Sequence, residues 1–264
     1  MPALDGDHAL LKDAASEAAE LAAALFKRGV ETWKKEDSTP VTEADLAVND
    51  LLHARLTKAR PDYGWLSEET ADDPDRLART RTWVIDPIDG TRGFVRGNDQ
   101  WCISAGLVED GLPIVGVIIR PQTGDIYEAT RGGGALLNGN PIQAKSGSTI
   151  SGCQFIMHEH VRTSRKWGTP WPPMHTSMSN SMALRLCFVA AGAADATIAI
   201  SRKSDWDLAA ADILVHEAGG KVTDMAGNAL RYNQPETSHK SVMAAGSRLH
   251  KELLPHTRSW KRAG

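Results

Sequence analysis

The segment Trp83-Val84-Ile85-Asp86-Pro87-Ile88-Asp89-Gly90-Thr91 constrains this chain more than any other. Its apolar start reads as a buried strand, and two aspartates three positions apart stand at the strand's end. Two carboxylates at the mouth of a strand are costly to desolvate unless positive charge lies between them. A divalent cation meets that need, with a phosphate beyond it. Gly90 lets the backbone approach a ligand closely. A helical turn starting there would aim its free N–H groups at phosphate oxygens. Thr91 either caps that turn or orients an attacking water. A plain turn built from Asp, Pro and Gly is the competing reading, and it leaves the apolar run before it unexplained.

Further acids stand in three distant places: Asp45, the pair Glu68-Glu69 after Tyr63-Gly64-Trp65-Leu66, and Asp207 after Trp206. Hard cations such as Mg²⁺ take oxygen ligands, and two such ions can hold a phosphoryl group and orient a water. Each acid also has an ordinary reading. Thr42 and Asp45 have the spacing of a capping box, with aspartate for the usual glutamate. Asp207 lies in the first turn of a helix, where the dipole favours a carboxylate. Glu68-Glu69 fits a solvated loop. Gly132-Gly133-Gly134 lacks phosphate-loop spacing and reads as a tight turn or bulge. His158-Glu159-His160 could ligate a metal, but without a third ligand in view an exposed strand end or loop is the better reading. No Gly-x-Ser-x-Gly elbow is present, and no cysteine sits beside an obvious base.

The order of elements follows from periodicity. Asp7 to Arg28 reads as an amphipathic helix stopped by Gly29, and a second helix starts near Thr42 after a loop from Lys34 to Pro40. From residue 101 to about 143 the pattern is strands split by Asp110-Gly111, Thr123-Gly124 and Asn138-Gly139, which predicts hairpins and an antiparallel sheet. Beyond about residue 145 strands and helices alternate: a strand over Cys153–Met157, a loop rich in Trp and Pro, a helix over Met182–Ala191 and a strand over Asp195–Ile200. A helix over Leu208–Ala218, short strands at Lys221–Thr223 and Val242–Ala245, and a last helix from Ser247 complete the set. The fold class expected is α+β, with a first half over 1–145 and a second, α/β half over 146–264 that contributes Asp207, packed as one compact unit.

With 264 residues, the chain can bury a large core. A net charge of -3 gives no global basic field for a nucleic acid polymer. No apolar run approaches membrane-spanning length. Three scattered cysteines, Cys102, Cys153 and Cys187, suggest a reducing compartment, and with no signal-peptide pattern the expected location is the cytoplasm.

Taken together, Ser38-Thr39-Pro40-Val41-Thr42-Glu43-Ala44-Asp45, Ser67-Glu68-Glu69, Asp86-Pro87-Ile88-Asp89-Gly90-Thr91 and Trp206-Asp207-Leu208-Ala209-Ala210 resemble the inositol monophosphatase family, in the family's order. The resemblance implies a layered αβαβα sandwich of the inositol monophosphatase/fructose-1,6-bisphosphatase type and a lithium-sensitive, Mg²⁺-dependent phosphatase. It implies Glu68, Asp86 and the Ile88 carbonyl as ligands of one Mg²⁺, and Asp86, Asp89 and Asp207 as ligands of a second. Some members use a third ion near Glu68. Thr91, bonded to Asp45, would position the metal-bound water. The N–H groups of Gly90 and Thr91 would hold the phosphate. The partners implied are a small phosphorylated metabolite and a second copy of the chain.

The substrate expected first is an inositol monophosphate-like ester. In animal inositol monophosphatases a glutamate seven positions before the Trp-Asp aspartate contacts the inositol ring, and here that position is Ile200. The segment Ser181-Met182-Ala183-Leu184-Arg185-Leu186-Cys187 is similar to one in 3′(2′),5′-bisphosphate nucleotidases, with Arg185 at their lysine. The arginine those enzymes carry in the next strand is replaced by Ala199. Bisphosphate nucleotidase and histidinol-phosphate phosphatase are therefore the alternative activities. A phosphate-ligand-binding module without turnover is the alternative of another class.

Overall fold

The structure is a computed structural model describing residues 2–34 and 40–260. Helix α1 (Pro2–Arg28) starts earlier than expected and stops at Gly29, whose φ of 77° a side chain would resist. Helix α2 (Glu43–Ala59) starts after Thr42 with the capping box intact. Short strands Thr32–Lys34 and Pro40–Thr42 pair antiparallel at the two ends of the loop expected from Lys34 to Pro40; residues 35–39, with Ser38 and Thr39, lie outside the described residues. Helix α3 (Thr91–Val95) is the helical turn foreseen after Gly90. Helix α4 (Glu159–Arg162) follows the strand Gln154–Ile156. Helices α5 (Met182–Ala190), α6 (Asp205–Glu217) and α7 (Ser247–Arg258) complete the set among the described residues.

A seven-stranded sheet runs in the spatial order Gly64–Ser67, Arg81–Asp89, Cys102–Glu109, Leu112–Arg120, Asp125–Thr130, Gly134–Leu137, Asn140–Pro141. Its first pair is parallel and the rest antiparallel. Asp110 (φ 52°) with Gly111 (φ 76°), and Asn138 (φ 52°) with Gly139 (φ 76°), take the left-handed pairs that tight hairpins require. A five-stranded mixed sheet, His175–Ser177, Gln154–Ile156, Ala196–Ala199, Val242–Gly246, Gly220–Thr223, lies wholly after residue 145.

Five layers result. Helices α1 and α2 cover one face of the larger sheet, burying Leu11, Ala18, Val48 and Leu52 against Trp83, Ile85, Ile103 and Val117. Helices α5 and α6 fill the space between the two sheets. Helix α7 covers the outer face of the smaller sheet with Leu249 and Leu253. The order is α, β, α, β, α, as the sequence resemblance implied. Helix α6 lies unusually close to the larger sheet because Gly106 and Gly116 face it: a Cβ on Gly116 would overlap the Ala210 carbonyl. That contact brings the first turn of α6, and Asp207 with it, over the end of Arg81–Asp89.

Candidate active site

A strand presents alternate residues to opposite faces, so Asp86 and Asp89, an odd number apart, should diverge. They do not, because the ladder slips between them. Asp86 pairs with Ser104 and Asp89 with Cys102, so three steps on one strand match two on the other. Pro87, which cannot donate to the ladder, lies within this bulge. The Asp86 and Asp89 carboxylates therefore converge, and Asp207 joins them from α6: ligand oxygens of all three lie within 4.8 Å of one another.

Each carboxylate is anchored. Asp86 accepts the Ile88 N–H at 3.0 Å. Asp89 sits at the start of α5, accepting the Ser181 hydroxyl at 2.6 Å and the Met182 and Ala183 N–H groups at 3.2 and 2.6 Å. Asp207 accepts the Ser204 N–H at 2.6 Å within a capping box. Both readings of Asp207 hold: it caps its helix and faces the cluster. The same is true of Asp45, whose Oδ2 accepts the Thr42 N–H and hydroxyl at 2.8 and 2.6 Å while Oδ1 accepts the Thr91 hydroxyl at 3.3 Å. Thr91 Oγ1 also lies 3.1 Å from the Ile88 carbonyl oxygen, a second acceptor. Gly90 holds a φ of 98°, and a Cβ there would stand 2.5 Å from the Gln100 carbonyl oxygen, so glycine is needed on both counts.

Electrostatics mark the cluster. Burial pushes Asp86 well above the ordinary carboxylate range, and the charges of Glu68, Asp89 and Asp207 push it further. Burial and the charge of Asp207 raise Asp89 to about 6 despite the bonds from Ser181 and Ala183. Burial raises Asp207 too, with Lys203 opposing and Glu68 assisting. Asp45 rises to about 7, chiefly by burial, with Glu69 and Glu68 adding to it. Glu68 borders the group, its N–H bonded to the Ile85 carbonyl at 3.2 Å. A buried set of mutually repelling carboxylates, all oxygen donors, fits a hard divalent cation.

Arg185 is buried on α5, its Nε donating to the Ser179 carbonyl at 2.9 Å. Burial lowers its pKa, and the charges of Asp89 and Asp207 act to raise it. Arg92, Arg96, His158 and His160 were not singled out as substrate-facing, yet they line a cavity of 550 Å³ together with Arg185 and Lys203. His158 and His160 are exposed, as read from the sequence, but they stand at and within the short helix α4 rather than at a strand end or in a loop. Gly132-Gly133-Gly134 forms the turn expected of it, its Gly132 and Gly134 N–H groups donating to Glu217 at 2.8 and 2.9 Å.

Known proteins resemble this chain in sequence and fold. The profile of the inositol monophosphatase family matches residues 4–262. A 3′(2′),5′-bisphosphate nucleotidase CysQ of Aggregatibacter actinomycetemcomitans is 34% identical over 84% of this chain and 86% of its own length. A histidinol-phosphatase of Mycobacterium tuberculosis is 34% identical over 83% of this chain and 85% of its own. The solved structure of the Thermotoga maritima IMPase superposes with a TM-score of 0.80 at 27% identity, covering 98% of this chain and 97% of that one. Dependence on Mg²⁺ is general in the family, and the acidic cluster is able to bind such an ion. The chain belongs to the inositol monophosphatase family and is a phosphoric monoester hydrolase.

Proposed function

We propose that this chain hydrolyses a small phosphate monoester by direct attack of water, with two or three Mg²⁺ held at the carboxylate cluster. The observation that carries the reading is the convergence of Asp86, Asp89 and Asp207 beside the Thr91–Asp45 pair. Glu68, Asp86 and the Ile88 carbonyl would hold one ion, and Asp86, Asp89 and Asp207 a second, with Asp86 shared. When bound, the cations lower the pKa of water and offset charge on the transferring phosphoryl oxygens.

The chain's own groups supply the positioning. Asp45 Oδ1 accepts the Thr91 hydroxyl proton, which leaves Thr91 Oγ1 as acceptor for a proton of the attacking water. The N–H groups of Gly90 and Thr91 hold the phosphate, and Arg185 contacts the rest of the substrate. No side-chain nucleophile is required: the cysteines are buried, and burial raises the thiols of Cys102 and Cys187 away from the reactive thiolate.

Asp86→Asn is the direct test. Magnesium-dependent phosphate release should vanish while the far-ultraviolet circular dichroism stays the same; full activity in that variant would sink the site assignment. The names of relatives span inositol phosphate, bisphosphate nucleotide and histidinol phosphate chemistry. A kinetic panel of inositol 1-phosphate, adenosine 3′,5′-bisphosphate, histidinol phosphate and fructose 1,6-bisphosphate at one Mg²⁺ concentration selects among them. The family resemblance also supports lithium inhibition, a cytoplasmic homodimer and a division into halves 1–145 and 146–264. Lithium titration, light scattering and limited proteolysis test these in turn.

A further inference from the structure

Asp205 stands two positions before Asp207 and is fully buried. Helix α6 does not need it as a cap, because Ser204 and Asp207 already form the capping box. A buried carboxylate is costly unless its oxygens are bonded, and an apolar residue would serve the core as well. Both oxygens of Asp205 are engaged, and both by one excursion of the chain, residues 231–239. Oδ2 accepts the Asn233 N–H at 2.7 Å, and Oδ1 lies 2.8 Å from His239 Nε2. The Asp205 N–H donates to the Thr237 carbonyl at 2.8 Å, and Lys203–Ser204 pairs antiparallel with Ser238–His239. Tyr232, from the same excursion, donates its hydroxyl at 2.5 Å to Asp212, further along α6.

Asn233 carries the bonding onward. Its φ of 53° is left-handed, a conformation that asparagine tolerates and most residues resist. Its Oδ1 accepts from Arg76 Nη1 at 2.7 Å, and its Nδ2 donates to Thr82 Oγ1 at 3.0 Å. Arg76 is itself buried, in the short 3₁₀ helix Pro74–Ala78. It grips Asp72 with a two-bond fork at 2.6 and 2.9 Å and donates to the Gln234 carbonyl at 3.1 Å. Three segments therefore meet at this relay. Arg76 stands in the connection between Glu68 and strand Arg81–Asp89, Thr82 stands in that strand ahead of Asp86, and Asp205 opens the helix that carries Asp207.

Each of those segments delivers one carboxylate to the cluster, and carboxylates in a small volume repel one another. Their spacing has to be set by something other than themselves. Fully bonded buried polar groups set a register that apolar packing leaves free to slide. We propose, building on the metal-dependent hydrolase reading above, that Arg76, Asn233 and Asp205 are positioning residues, a relay that fixes the spacing of Glu68, Asp86 and Asp207 and with it the affinity for the divalent cation.

Asn233→Gly is the chief test, because glycine takes the same φ and only the side-chain bonds to Arg76 and Thr82 are lost. Mn²⁺ is the probe, a cation with the oxygen preference of Mg²⁺, and its free concentration is counted by electron paramagnetic resonance without turnover. Its dissociation constant should rise about tenfold, the low end for losing a group that orients a metal ligand. In turnover the half-activating Mg²⁺ concentration should rise by a similar factor, with KM for the ester unchanged at saturating Mg²⁺. Arg76→Met should act alike, and Arg76→Lys should recover part of the loss. Asn233→Gly combined with Arg76→Met should bind no more weakly than the worse single variant, since one break already cuts the relay. Leu253→Ala, in the core beneath α7, is the control for mere destabilisation: a lower Tm with native Mn²⁺ affinity. A 5-fluorotryptophan label at Trp206, between Asp205 and Asp207, reads the helix start with no metal present, and its fluorine resonance should shift in Asn233→Gly. Native Mn²⁺ affinity in Asn233→Gly, whatever its Tm, overturns the proposal, and so does an unmoved Trp206 resonance. Native protein that binds no Mn²⁺ tells against the metal reading instead, and the Trp206 resonance then decides the positioning role by itself.

Discussion

Asp45 does two things with two oxygens, and substitutions at Thr91 and Asp45 separate them. Oδ2 caps α2 through Thr42, while Oδ1 meets Thr91. Thr91→Val removes only the second contact. Its kcat should fall by about a hundredfold, the low end for a lost proton-handling group, with Tm held. Asp45→Ala removes both and should cost a similar factor in kcat together with about 1 kcal/mol of stability from the cap. Steady-state kinetics and thermal melts on the two variants decide it; a kcat near the native value in Thr91→Val would exclude the positioning role. Asp207 alone read as a helix-start acid and joined the others only through the family resemblance, whereas Asp86 and Asp89 were legible in the sequence because two carboxylates closing an apolar run are conspicuous. Their convergence was not, since strand alternation puts Asp86 and Asp89 on opposite faces and only the slip at Pro87 reverses this. Arg92 and Arg96 carried no readable signal, and His158 and His160 were read only as an exposed strand end or loop, because their meeting at one cavity joins segments some sixty positions apart.

At the level of elements, hairpins and caps were the readable part. Asp110-Gly111 and Asn138-Gly139 are local statements about φ, and Thr42 with Asp45 is a local statement about hydrogen bonding. The central helices fared differently. Helix α5 was read to within one residue, although all but one of its residues are buried and it has no polar face. Helix α6 starts at Asp205, three residues before the apolar run suggested, because Ser204 and Asp207 cap it. Its seating on Gly106 and Gly116 ties an element's position to the site. Gly116→Ala forces α6 outward from the larger sheet and should cost about 2 kcal/mol as an overpacked contact. Asp207 moves with the helix, so the Mg²⁺ concentration giving half-maximal activity should rise alongside the loss of Tm. Activation at the native Mg²⁺ concentration in a destabilised Gly116→Ala variant would show that the helix seat and the metal site are independent.

For the whole molecule, the cluster is a junction between layers that carries its own electrostatic cost. Asp86 and Asp89 belong to the larger sheet and Asp207 to the helical layer beneath the smaller one, so their repulsion pushes the layers apart when no cation is bound. The pH dependence follows from linkage. Asp45 at about 7 and Asp89 at about 6 stand above their unfolded value of 3.8, and Asp86 is raised as well. Between these limits the folded state binds more protons than the unfolded one, so unfolding free energy falls as pH rises. The loss begins near pH 4 and is complete once the pH passes the highest of the raised folded values. The metal-free protein should therefore melt at a lower temperature at pH 8 than at pH 5. Mg²⁺ binds the ionised carboxylates, stabilises the folded state by mass action and competes with their protons. The Tm increase on adding 10-fold excess Mg²⁺ over its half-saturating concentration, about 1.4 kcal/mol of linkage, should thus be larger at pH 8 than at pH 5. Melts with chelator and with Mg²⁺ across that range measure both slopes. In Asp86→Asn, where one charge is gone, the metal-free slope should flatten and the Mg²⁺ increment shrink. A metal-free Tm that climbs between pH 5 and pH 8 would mean that these carboxylates do not set the stability of the apo form.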